Sequence, residues 1–500
     1  MSAALLGIDW LTLAPVLAPA LGVLLVLVAD AIAPRARGLH LPLGMLAVGA
    51  GLGALPFAAT GAAPARTLCP QAAASARCFY EVGSWGLILQ ASALASALLV
   101  LLLLGPGTAH VDRAQRGGPA VTVALVLATT TGAVALAAAR DLPTWLVAVE
   151  LATLPAVALV ALSRAPGAES GGLSLLMVAL TSFGLLTVGV ALWVLPTGSA
   201  TFSSTALRAV WGDPAHHRAA LLALLLMIAG LGFKLSAVPF HTWTPQAFVS
   251  ADEAVAAFLA TTSKVAALAG LLVLLAPVVE LRRSGESGLS SLTLALGALA
   301  IASMTLGNLL ALRVADPVRL LAWSTVAQGG WLLLALAPLT VAGAGASAGY
   351  LVAYVVATLA VFAVVAAVHS GTEGPGERTL TAYAGLARSQ PLLAGALGLG
   401  LLTLAGLPPG IVGLVAKVVA LRPAVEAGQW WLVVAAIVNV VLGIAVYLRW
   451  LLVLLRPAAD APARPRTRLD PGLLVALILA SALLLILSVV PGLVFGTALR

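Results

Sequence analysis

The sequence predicts an all-α, polytopic membrane protein of about fourteen transmembrane helices, with two inverted five-helix repeats that contain broken helices. Three observations carry that expectation. First, 61% of the 500 residues are hydrophobic and only 9% are charged, whereas a soluble domain has about a quarter charged. A chain so poor in charge cannot cover itself with polar groups, so its outer surface must face lipid. Second, apolar runs of about 18 residues or more, each able to cross a hydrocarbon core of about 30 Å, recur along the whole length. Third, two of these runs carry proline and glycine clusters in their middles.

The predicted spans lie near 10–33, 39–60, 84–104, 119–139, 142–163, 171–196, 219–240, 251–277, 289–311, 318–340, 346–369, 391–421, 428–455 and 472–496. The first apolar run, Leu11 to Ala33, lacks a basic leading stretch and a cleavage site, and reads as a retained helix rather than a signal peptide. Fourteen spans put both termini on one side. Loops after odd-numbered helices carry fourteen arginines and the other loops nine. Basic residues favour the cytoplasmic side, so both termini are expected outside a bacterial cell membrane. Most of the bias comes from a Pro-rich connector at 456–470, with Arg456, Arg464, Arg466 and Arg468, which reads as a topology signal or a contact to anionic lipid. The same orientation puts Cys69 and Cys78 outside, where either a disulfide or two free thiols could stand. The expected regions are helices 1–3 over 1–118, a first repeat over 119–280, a second, inverted repeat over 281–456, and a basic loop with helix 14 over 457–500.

Several function classes drop out. The net charge of +8 is scattered over short loops and does not form a nucleic-acid face. Two cysteines cannot ligate an iron–sulfur cluster, which normally takes four thiolates. No Gly-rich phosphate loop and no His-Glu-x-x-His pattern occurs. The chain is therefore expected to hold no metal and no redox cofactor of its own.

Of the 26 basic residues only three are lysines, Lys234, Lys264 and Lys417, and each lies inside an apolar segment. Arginine stays charged in proteins, so it can anchor but not relay a proton. A lysine withdrawn from water can gain and lose a proton near neutral pH. A charge at mid-bilayer costs at least about 2.5 kcal/mol. One lysine could snorkel or pair structurally; three of three suggest a proton path. Glu150, in the middle of its segment, is the matching acid, and a Glu150–Lys234 pair that tightens and loosens would make a switch. Asp30, Asp252 and Glu253 fall near helix ends and read as interfacial.

Two segments carry helix-breaking chemistry in mid-membrane: 230–245, with Pro239 beside Lys234, and 404–417, with Pro408 and Pro409 before Lys417. Proline removes a backbone donor, and freed carbonyls inside a membrane are tolerated only where protein or a wet cavity satisfies them. Broken helices at matching places in two halves mark transport sites. Helix 7 is the fourth of helices 4–8 and helix 12 the fourth of helices 9–13. Five helices per unit is odd, so successive units are inverted. His241, just after Pro239, could extend the relay or be a structural histidine.

These segments resemble the antiporter-like membrane subunits of respiratory complex I, most of all subunit N of bacterial NADH:quinone oxidoreductase. The stretch Gly232-Phe-Lys-Leu-Ser-Ala-Val-Pro-Phe-His-Thr-Trp-Thr-Pro245, followed by Val255 to Lys264, is the most specific. Leu306 to Arg313 running into Arg319 to Ser324, Gly385 to Arg388, Leu404 to Lys417, Tyr447-Leu-Arg449 and Asp141 to Glu150 keep the same order over about 140–450. The resemblance implies Glu150 paired with Lys234, a central Lys264 and an exit-side Lys417. It implies that NADH, FMN, iron–sulfur clusters and quinone sit in partner subunits. The partners of this chain would be other membrane subunits of the complex and the lipid bilayer.

The sequence also departs from that pattern. Gln328 stands where the family usually has a histidine on helix 10, and Ser174 where it has a lysine near the start of helix 6. Gln246 replaces an acidic residue after the Trp-x-Pro motif, and Ala-Asp-Glu-Ala at 251–254 replaces a Pro-rich start of helix 8. Three functions follow as alternatives: a proton-translocating subunit of an NADH:quinone oxidoreductase, a cation/proton antiporter subunit, or a membrane-arm subunit that has lost transport.

Overall fold

The computed structural model describes residues 6–58, 64–70, 78–105, 111, 114–370, 378–457 and 470–496. Its helices are α1 (Trp10–Ile32), α2 (His40–Ala58), α3 (Ser84–Leu103), α4 (Gly118–Leu136), α5 (Leu142–Leu151), α6 (Leu154–Ala161), α7 (Ala168–Thr197), α8 (Ser204–Trp211), α9 (Pro214–Leu235), α10 (Trp243–Val249), α11 (Glu253–Ala260), α12 (Thr262–Arg283), α13 (Ser290–Ala311), α14 (Pro317–Leu336), α15 (Val341–Ser370), α16 (Pro391–Ala405), α17 (Ile411–Glu426), α18 (Trp430–Leu455) and α19 (Pro471–Val489). Among the described residues, twelve helices, counting α5–α6 and α11–α12 as one each, are long and apolar enough to cross a membrane. The two remaining expected spans are α14, whose Arg319 and Gln328 dilute its hydropathy, and the broken pair α16–α17.

Helix starts are written by aspartate. Asp9, Asp141, Asp213, Asp252, Asp316 and Asp470 each precede a helix and accept a backbone N–H from its first turn. A short acceptor there satisfies an amide that the helix leaves open. At Asp213, Asp316 and Asp470 a proline follows, whose fixed φ and missing N–H suit the first helical position.

The two expected breaks are present. Helix α9 stops at Ser236 (φ 63°) and α16 at Gly406 (φ 79°), each before a proline-containing turn. Two further breaks interrupt the expected spans 142–163 and 251–277. The first separates α5 from α6 at Ala152 and Thr153, where Pro155 has no N–H to continue the ladder. The second, at Thr261, opens a run of three hydroxyl residues. The Thr261 hydroxyl donates to the Ala257 carbonyl 2.7 Å away, a local bond that competes with the helix ladder. At all four breaks the interrupted helix ends on buried residues (Ala152 and Thr153, Ser236, Thr261, Ala405), whereas Pro239, Pro408 and Pro409 of the two proline turns are exposed. Helix α4 comes close to the first because Gly132 has no side chain; a Cβ there would overlap the Ala152 amide.

A small polar cap covers one end of the bundle. Strand β1 (Leu6–Gly7) pairs with β3 (Cys69–Pro70), and β2 (Ala65–Thr67) with β4 (Tyr80–Val82), both antiparallel. A Cys69–Cys78 disulfide closes the loop, deciding between the two states left open by the sequence. Arg66 donates to Glu81 at 2.8 Å, and Tyr80 bridges to Ala139 between α4 and α5. Two other expectations change. Arg449, counted with the loop arginines, lies inside α18, and its guanidinium reaches the carbonyls of Ala311, Leu312 and Val314 at the end of α13. Span 14 ends at Val489 rather than near 496. Arg77, Arg113, Arg464, Arg466, Arg468 and Arg500 lie outside the described residues, and with them most of the basic connector.

Two outcomes check this architecture. The denatured, unreduced protein should take up no thiol-alkylating reagent, and two equivalents after reduction, as read by mass spectrometry. Gly132→Val should destabilise the purified protein by about 1–3 kcal/mol through overpacking, seen as a lower unfolding midpoint in detergent.

Candidate functional site

All three lysines are buried, at 3%, 1% and 7% exposure for Lys234, Lys264 and Lys417; none reaches lipid or the headgroups. Each is delivered to a helix break. Lys234, in the last turn of α9, donates from Nζ to the Ala152 carbonyl at 2.8 Å and to Thr153 Oγ1 at 2.9 Å, at the end of α5. Lys264, in the first turn of α12, donates to the Lys234 carbonyl at 3.0 Å and to Ser236 Oγ at 2.5 Å, at the end of α9. Lys417, in the second turn of α17, donates to the Ala405 carbonyl at 2.5 Å, at the end of α16. Two amines also lie over indole faces: Lys264 4.8 Å from Trp243 and Lys417 5.6 Å from Trp331.

The chemistry of these positions is the same three times. A helix ends with unpaired carbonyls and about half a negative charge, and an amine supplies N–H donors that the missing helical turn would have supplied. That interaction contributes on the order of 0.3–2 kcal/mol, against about 2.5–3.5 kcal/mol for placing a full charge at mid-membrane. Dipoles and an indole face therefore offset only part of the cost of the charge.

The expected Glu150–Lys234 ion pair is not formed. Glu150 is half-buried on α5, just before the same break, and acts on Lys234 only across a longer distance. The Lys234 amine takes the carbonyl and hydroxyl of the break instead. Among the described residues no carboxylate is in salt-bridge contact with any of the three amines. His241 lies in the α9–α10 turn with its ring 5.5 Å from that of Trp323, and no hydrogen bond joins it to a lysine. Gln246 donates to Ser170 at 3.3 Å, away from the amines, and Ser174 is half-buried on α7. Glu253 pairs at 2.8 Å with His369 at the mouth of α11, near a helix end as expected.

Between Lys264 and Lys417 runs a row of polar groups. Ser236 Oγ accepts from Thr244 at 2.7 Å. Tyr354 donates to the Ala260 carbonyl at 2.8 Å, with Thr325 Oγ1 3.1 Å away. Gln328 accepts from the Tyr350 hydroxyl and donates to Tyr447 at 2.8 Å and to the Leu404 carbonyl at 3.3 Å. Tyr447 and Ser324 are 2.7 Å apart. Two cavities of about 10 Å³ flank this row. One is lined by Lys234, Thr153 and Ser263, the other by Gln328, Tyr350, Tyr354 and Thr403. Each has room for about one water molecule and sets a few polar groups in a mainly apolar wall. The tyrosines were missed from sequence, although three of the chain's five are here and two of these stand four residues apart in one apolar run.

Residues 139–443 match the NADH:quinone oxidoreductase/Mrp antiporter transmembrane family. The chain belongs to that family. Its relatives include NADH-quinone oxidoreductase subunit N 2 of Streptomyces griseus, 37% identical over 97% of this chain and 92% of the relative. Respiratory complex I from Thermus thermophilus contains a chain that is 29% identical and superposes with a TM-score of 0.76, covering 96% of this chain and 98% of that one. A chain of the Mrp complex from a Dietzia species shares the fold at 22% identity, with a TM-score of 0.78 over 98% of this chain and 96% of that one. The match of the antiporter family spans α5 to most of α18, and so contains all four breaks and all three lysines.

Thr153→Val should remove one of the two acceptors of the Lys234 amine and cost about 1–3 kcal/mol, read as a lower unfolding midpoint in detergent. Thr153→Ser, which keeps the hydroxyl, should stay near the parent value.

Proposed function

We propose that this chain is a proton-translocating subunit in the membrane arm of an NADH:quinone oxidoreductase. The observation that carries this reading is the placing of every lysine on the carbonyl end of a broken helix, along one polar row inside the bundle. An amine held by dipoles rather than by a carboxylate changes its charge when a neighbour changes its own. Lys234 and Lys264 are such neighbours, since Lys264 donates to the backbone carbonyl of Lys234. A proton arriving at one amine repels charge on the next, and the breaks let the helix ends shift as it moves. Glu150 is the group that biases Lys234 from the flank.

In this reading NADH, FMN, iron–sulfur clusters and quinone belong to partner subunits, and this chain supplies the proton path alone. The two repeats are 119–280 and 281–456, with helices 1–3 before them and the basic loop and helix 14, 457–500, after. The disulfide of the polar cap supports an outside placing of that face and of both termini, because disulfides persist in oxidising compartments. Exchange of metal cations would call for carboxylates beside the amines, and their absence from contact among the described residues favours protons over a cation antiport.

The test uses the assembled complex in sealed vesicles. Lys234→Met and Lys264→Met should each lower proton pumping per electron, with the share carried by this subunit reduced at least tenfold, while the complex still assembles. A triple lysine variant that assembles and pumps at the parent ratio would leave only a scaffold role.

A further inference from the structure

The loop that joins α12 to α13, residues 284–289, is pinned from the α8 side. The Trp211 indole donates to the Ser287 carbonyl at 2.8 Å, and the Arg208 guanidinium donates to the Ser284 hydroxyl. Another side of the loop forms the wall of a cleft of about 620 Å³, which the end of α12, the start of α13 and the start of α18 complete.

Two opposite charges stand in this cleft. Arg282, in the last turn of α12, and Glu286, in the loop, both line it, and among the described residues neither forms an ion pair with the other or with a third group. The adjacent Arg283, by contrast, takes Glu280 at 3.5 Å. Two neutral groups on the wall are equally alone: the Thr293 hydroxyl and the Gln429 amide oxygen are withdrawn from water and find no hydrogen bond among the described residues. A buried polar atom without a partner is costly, so partnerless groups gathered on one space point to an occupant. The heads of α13 and α18 add to this, since neither receives a side-chain cap and their first-turn amides and positive ends remain for an anion.

The rest of the wall is apolar. Leu294 lines the cleft, and the Trp431 indole lies against Gly297 of α13, where a Cβ would overlap it. From there Val434, Val438 and Val441 continue as an exposed strip along one face of α18. Trp430 and Trp431 head that helix, both exposed, and tryptophans in such a place mark the membrane–water boundary. The charged end of the cleft therefore lies at headgroup level and the strip lies among acyl chains.

We propose that this cleft binds one phospholipid whose headgroup carries both a phosphate and a primary ammonium, phosphatidylethanolamine. The phosphate sits on Arg282, the Thr293 hydroxyl and the head of α13, the ammonium on Glu286 and the Gln429 oxygen, and the tails on Trp431 and the valine strip. A guanidinium fork matches two phosphate oxygens, and an ammonium supplies the N–H donors that a carboxylate and an amide oxygen lack. Phosphatidylglycerol brings the phosphate without the cation, and so sets a second negative charge beside an unanswered Glu286. The site stands apart from the lysines, and nothing in it depends on the proton path.

The experiment is photolabelling of the assembled complex in phosphatidylcholine vesicles that contain phosphatidylethanolamine with a diazirine in one acyl chain. The label is mapped by peptide mass spectrometry and competed with unlabelled phosphatidylethanolamine or phosphatidylglycerol. Label should fall on 289–297 and 430–441, and phosphatidylethanolamine should displace it at a mole fraction at least tenfold below that of phosphatidylglycerol. Arg282→Gln should lower labelling there at least tenfold. Glu286→Gln should keep the label and lose the preference between the two competitors. Parent-level labelling of Arg282→Gln, a parent that does not distinguish the competitors, or a preference that survives Glu286→Gln each means ordinary bilayer lipid and overturns the site. A cleft that takes no label in the complex overturns it too, and a photoreactive amino acid in place of Leu294 then identifies the subunit that covers it. The competition on the parent needs no variant, so it decides the question even if Arg282→Gln fails to assemble.

Discussion

The fold depends on one recurring interaction: a lysine amine seated on the carbonyl end of an interrupted helix. In lipid no water is at hand to accept the role of the missing turn, so an interrupted helix inside a bundle needs a donor brought to it. Here α5, α9 and α16 each receive one from another helical segment, and the amines gain the partial negative charge that makes their burial tolerable. Break and lysine are thus two halves of one device. Without the break the amine would lack acceptors, and without the amine the carbonyls would lack donors.

That mutual need explains what was legible in the sequence. Proline and glycine at 230–245 and 404–417 marked two of the four breaks, and the confinement of all three lysines to apolar segments marked the amines. The α5–α6 break was equally written, in Thr153-Leu154-Pro155, but a single proline in an apolar run also suits an ordinary kink. The break at Thr261 carries no proline at all. It follows from three hydroxyls in a row, a signal that only becomes decisive once the neighbours are known. Spacing cannot say which acceptor a lysine finds: the Lys234 amine touches the carbonyl of Ala152 and the hydroxyl of Thr153, while Glu150 acts on it from farther off.

The two halves of the molecule share a plan and differ in detail. Lys234 sits before its break and Lys417 after one, yet both amines end on a carbonyl terminus and both lie near a cavity the size of a water molecule. In the second half Gln328 lies among Tyr350, Tyr354 and Tyr447. Hydroxyl groups keep such a region polar at low cost in charge, because each can satisfy its neighbours while remaining neutral.

The polar cap at the end of the bundle reaches beyond stability. Its strands come from the amino-terminal arm and the α2–α3 loop, and Tyr80 completes it by bridging to Ala139 beyond α4. Those pieces meet only after the first four spans have been threaded into the bilayer. The cap is therefore a clasp that ties the amino-terminal arm, the α2–α3 loop and the α4–α5 connection together, so that the leading quarter of the chain is held as one platform beside the lysine-bearing helices.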